Sequence, residues 1–261
     1  MTPDVKVGIS LLTMNHLDWT KECLKTLEKH TPPIRYHLTI LDNGSTDGTP
    51  AYLVNKGYDI ILKTENIGIA RGRNETIKRL LSLNFFPYIC VIHNDMLFTT
   101  DWLKIMIEEI NQHKKCLLLG CMGIIEKGAL LVTDDTRDKM AVAAREDWTG
   151  RANLDPRLIR AEAFSKIGLY DEMFEQQDCE DVDFNKRVED AGFEFLGTHK
   201  AVIWHGESII RLGLPNEKLY IQQNKEYFFK KHNVKNFDKW NLSKHHSKYV
   251  QGNMLMVWAG Y

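Results

Sequence analysis

Only five cysteines occur in the 261 residues, none forms a CxxC pair, and their number is odd. That pattern speaks against a disulfide framework and for buried free thiols in a reducing cytoplasm. An excess of either charge is also missing. Lys and Arg total 34 against 35 Asp and Glu, a formal net charge of -1. Global attraction to nucleic acid or to an anionic membrane is therefore not expected, and only a local patch is left. The longest apolar runs, near Phe85 to Ile92 and Cys116 to Ile125, fall short of the about 18 residues that span a bilayer. The chain enters its first strand at Val5 with no basic stretch and long apolar region before it, so no signal peptide is expected. These absences predict a soluble cytoplasmic protein, at most peripheral at the inner face of a membrane. No internal repeat or low-complexity segment is visible.

A Gly-rich phosphate loop is absent as well. Leu11-Leu12-Thr13-Met14-Asn15 follows the first strand with neither glycine nor a basic residue. The later stretch Asn66-Ile67-Gly68-Ile69-Ala70-Arg71-Gly72-Arg73-Asn74 has the spacing of neither a Walker loop nor a dinucleotide fingerprint. A nucleotidyltransferase is correspondingly disfavoured.

What is present is an ordinary globular composition, 43% hydrophobic and 26% charged. Strand and helix patterns alternate in the first half. Strands are predicted at Val5–Leu12, His37–Leu41, Asp59–Lys63, Tyr88–Ile92 and Cys116–Met122. Helices are predicted at Asp18–Lys29, after the Thr49-Pro50 cap to Gly57, at Arg71–Leu83, and from a Thr100 or Asp101 cap to about His113. Such alternation argues for an α/β fold with a mostly parallel sheet flanked by helices. Residues 126–157 show no clear period and read as irregular. Short helices follow at Arg160–Lys166 and Asp181–Ala191, with strand character from Phe193 to Trp204.

The most informative stretch is Val91-Ile92-His93-Asn94-Asp95-Met96, a buried strand ending in a polar cluster with one carboxylate. In open α/β sheets the carboxyl ends of strands bind the ligand. Asp42 ends the second strand inside Asp42-Asn43-Gly44-Ser45-Thr46-Asp47-Gly48, where a turn role competes with ligand contact. Asp47 reads as a local turn or cap residue. Gly68 and Gly72 let a backbone approach closely, and Arg71 or Arg73 stands where a helix start favours an anion. Glu180-Asp181-Val182-Asp183 opens a helix, where acids also suit the helix dipole. A strand-end His205 closes Trp204-His205-Gly206. Trp148, Trp204 and Trp102 are candidates for stacking on a sugar, with core packing the better account of at least two.

In this order the five segments resemble the family 2 glycosyltransferases of the GT-A (Rossmann-like) fold, from the first strand through Gly206. The resemblance implies a metal-dependent, inverting transfer of a sugar from a nucleotide-diphosphate donor, a UDP-sugar, to an acceptor hydroxyl. It implies Thr13, Asn15, Asp42, Asn66, Gly68, Arg71 and Asn94 as donor contacts. Asp95 matches the last acid of the family's DxD triplet, here His93-Asn94-Asp95 without the first acid. Asp95 and His205 are then the metal ligands, for Mn²⁺ or Mg²⁺, and Asp181 is the general base with Glu180 an acceptor contact. Residues 1–123 would form the nucleotide-sugar-binding half, 124–221 the acceptor-binding and catalytic half of the same domain, and 222–261 a Lys- and aromatic-rich helical extension. Glycan, lipid-linked and other hydroxyl acceptors fit equally. The basic tail keeps an anionic polymer such as hydroxylated DNA as a minority acceptor. A non-catalytic nucleotide- or carbohydrate-binding module is the competing reading.

Overall fold

Val7, Ile9 and Leu11 turn to one side of the first strand and enter one core, while Ser10 between them hydrogen-bonds Thr76 on the other side. The computed structural model describes residues 6–31, 35–125, 129–147, 151–152, 155–206 and 216–235. The first half runs β1 (Lys6–Thr13), α1 (Leu17–His30), β2 (Arg35–Asp42), α2 (Thr49–Lys56), β3 (Asp59–Leu62), α3 (Ile69–Ser82), β4 (Tyr88–His93), β5 (Met96–Leu97) and α4 (Trp102–Gln112). It continues with β6 (Cys116–Ile125), a 3₁₀ turn at Ala129–Leu131, α5 (Asp134–Asp147), β7 (Arg151–Ala152), β8 (Arg157–Arg160) and α6 (Glu162–Ile167). The last described elements are α7 (Glu180–Asp190), β9 (Glu194–His205) and α8 (Glu217–His232).

The strands join one sheet in the order β3-β2-β1-β4-β8-β6-β9-β5, with β7 beside β6. β1 pairs in parallel with both β2 and β4, β2 with β3, and β6 with β9; β8 and β5 run antiparallel to their neighbours. The sheet is therefore mixed but mostly parallel, and it runs through residue 123 without a break. Both its faces are covered. Tyr88, Cys90 and Ile92 of β4 join the core under α1 and α4, while Ile89 and Val91 join the core under α3, α6 and α7. That two-sided burial is why β4 reads as a continuous apolar run rather than an alternating one.

Three local expectations shift. The cap of α2 is Gly48, with Thr49 already helical, and Gly57 in the left-handed region closes the helix by donating to Val54 O. Neither Thr100 nor Asp101 caps α4 with its side chain; Thr100 instead donates from its N and Oγ1 to the Asp138 carboxylate at 2.7 Å each. The stretch read as irregular, 126–157, holds α5 and β7 and ends where β8 begins. α5 lacks an apolar stripe because it docks through Ala141 and Ala144 and a buried Arg137. That guanidinium donates to Ala129 O and Val132 O and pairs with Glu22. Among the described residues no helix is long and apolar enough to cross a membrane. Of the expected carboxyl-terminal extension, residues 236–261 lie outside the described residues, as does Trp148.

Candidate active site

The chain builds β1, steps outward to β2 and β3, then returns to place β4 on the far side of β1. Strand order reverses between β1 and β4, and a crevice opens there at the carboxyl ends. Register aligns Thr13 with Asp42 and Leu12 with His93 along this rim. A cavity of about 200 Å³ lies above it, and another of about 350 Å³ shares Met14, Asn66, Gln176 and Gln177 with it. Joined through these residues they form one trough on the scale of small-molecule clefts, about 300–1,000 Å³.

Asp95 and His205 meet in the lining of the trough, Nε2 of the imidazole 3.3 Å from Oδ1 of the carboxylate. The two-residue β5 makes this contact. Met96 pairs with His205 and Leu97 with Trp204, and Gly206 N donates to Asp95 O at 2.8 Å. Asp95 is 3% exposed. Burial alone would raise its pKa, but His205, through its charge and its hydrogen bond, outweighs burial and holds it below the usual carboxylate range. Among the described residues no cluster of three His, Cys, Asp or Glu forms a complete cation cage. The pair nevertheless fits a partial site, one hard oxygen and one imidazole with room for ligand oxygens and water.

The opposite rim is tied by amides. Asn43 Nδ2 donates to Asn66 Oδ1 at 2.8 Å, and Asn43 Oδ1 accepts from Ile67 N at 2.9 Å. Asn15 N donates to Ser45 Oγ, and Asn15 Oδ1 accepts from Thr46 N. Thr13 lines the cleft with its hydroxyl 3.1 Å from that of Thr20. Asp42 is fully buried beneath this rim and does not line the cleft. Its Oδ1 accepts from Ser45 N, which is the turn role, while Oδ2 has no partner. Burial pushes its pKa up, against the opposing pull of the hydrogen bonds from Ser45. Asn94 also sits below the cleft, donating to Asn15 O and Thr20 Oγ1, so it braces the loop after β1.

Two predicted donor contacts lie outside the lining of the cleft. Gly68 has φ of 86°, and a Cβ there would come within 3.0 Å of Gln176 N. Its freedom lets the start of α3 lie against the Gln176 backbone, where Ile69 N donates to Gln176 O. Arg71 is exposed and does not line the cleft, whereas Arg73 turns inward.

Arg73 anchors the second wall. Its Nη1 donates to Glu180 Oε1 at 3.0 Å and its Nη2 to His93 Nε2 at 2.6 Å. An arginine only donates, so that imidazole nitrogen is unprotonated. Burial, then the Arg73 charge, accordingly push the His93 pKa down to about 4. Arg157, 1% exposed, donates from Nε to Asp155 Oδ1, from Nη2 to Asp181 Oδ2 at 2.9 Å, and from Nη1 to Asn185 Oδ1. Burial opposes ionisation of Asp155, yet Arg157, His93 and Arg73 hold it well below the usual range. Glu180 shifts the other way. Burial and then the Asp181 charge raise its pKa, and Oε2 has no partner. Glu180 and Asp181 both line the cleft.

Asp183 does not. It is fully buried and faces α8, whose Lys231 and His232, together with Arg187 of its own helix, hold its carboxylate at 2.6 to 2.8 Å. Trp102 and Trp204 are buried too, their indole N–H groups donating to Thr31 Oγ1 and Arg137 O. His93, Asp155, Arg157, Gln176 and Gln177 went unnoticed as site residues in the sequence. The one signal that pointed to Arg157 was an arginine at each end of Leu158-Ile159.

No match was found among curated protein sequences. Among solved structures, a mannosyltransferase, PcManGT from Pyrobaculum calidifontis in complex with GDP-Man and Mn²⁺, superposes with a TM-score of 0.63 at 14% identity. The match covers 90% of this chain and 66% of that one. At this identity the likeness shows the shared fold, the GT-A type of α/β sheet. The pattern of the glycosyl transferase family 2 matches residues 9–168, from β1 through the end of α6. That span is more than half of the chain and includes the β1, β2 and β4 rims of the cleft, so the protein belongs to glycosyl transferase family 2.

Proposed function

We propose that the protein transfers a sugar from a nucleoside diphosphate sugar to an acceptor hydroxyl, in a single displacement that inverts the anomeric carbon. The observation that carries this reading is one cleft lined by two chemically distinct groups: the Asp95–His205 pair, and Glu180 with Asp181. Asp95 and His205 would hold Mn²⁺ or Mg²⁺, which when bound neutralises the departing diphosphate. Mn²⁺ is the better fit for a mixed oxygen and imidazole set, and the mannosyltransferase of like fold was solved with that ion. On the amide rim, Thr13 and Asn66 line the cleft and Asn15 the adjoining cavity, and these surround the nucleoside, with Asp42 supporting the turn beneath them. UDP is our proposed carrier, and GDP is the comparison.

Asp181 is the proposed base. It lines the cleft with 32% of its side chain open, and Arg157 and the Val182 N–H orient its two oxygens. A base must draw the proton from a hydroxyl while that oxygen attacks. Calorimetric titration with UDP and GDP, each with and without Mn²⁺, tests the donor half, and release of nucleotide from the matching sugar donors tests turnover. Binding of neither nucleotide would end the transferase reading.

The unpartnered Oε2 of Glu180 supports a second assignment, with Glu180 as base. The sign is decided by its raised pKa. A base works as the carboxylate, so activity would fall as pH drops through a midpoint above the ordinary carboxylate range. Were Glu180 the base, kcat/KM would fall between neutrality and about pH 5. A steep loss over that interval, abolished in Glu180→Gln, would transfer the role to Glu180.

A further inference from the structure

One element beyond the family's matched span reaches the trough. α8 lies outside residues 9–168, yet its first turn puts Tyr220 in the lining of the cavity of about 350 Å³, together with Met14, Asn15 and Asn66 of the nucleoside rim. Asn224 follows four residues on and so shares that face of the helix. It is 3% exposed, and its side chain bonds to the backbone of a single segment. Nδ2 donates to Glu175 O and Gln177 O at 2.7 Å each, and Oδ1 accepts from Glu175 N at 3.2 Å. Three such bonds from one buried amide fix the path of a chain. This path needs fixing. Gln176, Asp178 and Cys179 take positive φ, a conformation that persists only where its surroundings enforce it.

Gln177 shows what the loop is held for. Its side chain is buried in the lining of both cavities, and its Nε2 has no partner. Buried polar atoms are rarely left so. An amide N–H needs an acceptor, and a nucleoside diphosphate presents acceptors throughout, on the base carbonyls, the ribose and the phosphates. Tyr220, half-buried, adds an aromatic ring to the lining that Gln177 shares with the nucleoside rim. Aromatic rings stack on nucleobases of any identity, because every base has a π face. Both features therefore suit the same ligand, and both depend on α8: one is carried by it, and the other is held in place by Asn224.

We propose that α8 completes the nucleotide site: Tyr220 packs against the nucleoside, and Asn224 is a positioning residue that holds Gln177 where its amide donates to the nucleotide. This rests on the transferase reading above and adds to it an element that the family's matched span does not contain. The test is calorimetric titration of the full chain with UDP, and with GDP in parallel, well below the melting temperature of each variant. Tyr220→Ala removes a half-exposed ring and should weaken nucleotide binding roughly tenfold with the melting temperature unchanged. Asn224→Ala frees the loop and should weaken binding by a similar factor while also melting earlier, because three buried bonds are lost. The loss should be the same with and without Mn²⁺, since the Asp95–His205 pair is set by the β5–β9 pairing. Tyr227→Phe gives up the bond from the same helix to Asp171 and should bind nucleotide like the parent chain. Nucleotide held as tightly by Tyr220→Ala, or by folded Asn224→Ala, as by the parent chain would overturn this proposal alone. An equal loss in Tyr227→Phe would overturn it too, by making α8 a general support of the fold. Failure of the parent chain to bind either nucleotide would overturn the transferase reading along with it.

Discussion

Asp95→Ala is expected to lower sugar transfer by roughly 10³-fold and to remove the Mn²⁺ dependence of nucleotide binding. The size follows from losing several kcal/mol of charge stabilisation at a leaving diphosphate, at about 1.4 kcal/mol for each tenfold. Asp95 contributes the one carboxylate of its triplet, because the triplet is His93-Asn94-Asp95 and Asn94 is turned into the β1 loop. His93 cannot substitute, since its Nε2 already accepts from Arg73. Stability should change little. The backbone at Asp95 is held by the Gly206 N–H and the β5–β9 pairing, and the His205 left behind can stand neutral. Asp95→Asn keeps the shape and should fail almost as badly, because a neutral amide is a weaker ligand for a divalent cation than a carboxylate. Nucleotide titration in Mn²⁺ and turnover in excess chelator are the measurements. Full turnover in chelator would remove the cation from the mechanism.

The parts of this site that could be read in the sequence are those carried by local pattern. β4 is apolar on both faces and stops at a carboxylate, so Asp95 stood out. Glu180 and Asp181 open a helix and are adjacent, so one short segment delivers both. The legible positions were strand ends and helix starts, which are set by neighbouring residues. Positions set by distant contacts were not. Arg157 and Asp155 fall in a stretch without period, because β8 is only four residues long and is ended on both sides by arginine. α5 hid for a related reason: it docks through alanines and a buried Arg137 satisfied by carbonyls, and neither leaves an apolar stripe.

Proximity in sequence also misled in one place. Asp183 shares a helix turn with Asp181 and, by sequence alone, is as near to the acceptor motif as Glu180. Two residues along a helix is about 200°, so the two side chains take opposite faces. One looks into the cleft and the other under α8. Arg71 and Arg73 divide in the same way, with Arg71 exposed and Arg73 buried against Glu180.

That geometry makes Asp181→Asn the sharper experiment. The carboxylate of Asp181 takes one bond from Arg157 Nη2 at 2.9 Å and one from Val182 N at 2.7 Å. Asparagine keeps the oxygen for one of them and turns an NH₂ toward the other, so one bond is lost. Since a third of the side chain is in solvent, solvent screening limits the stability loss to about 1 kcal/mol. Arg157 stays paired with Asp155 and Asn185, so the wall should stand. Turnover is another matter. Without a group to take the proton the rate should fall by roughly 10² to 10⁴, with nucleotide affinity unchanged. Asp183→Asn supplies the mirror image. It leaves Lys231, His232 and Arg187 facing a neutral amide, and we expect a loss of roughly 3 kcal/mol in stability with the turnover of the folded fraction retained. Denaturant melts and turnover on both variants decide the matter. A fully active Asp181→Asn would move the base to Glu180, the other carboxylate of this motif that faces the cleft, whereas slow turnover in Asp183→Asn would mean that α8 sets the geometry of α7 during the reaction.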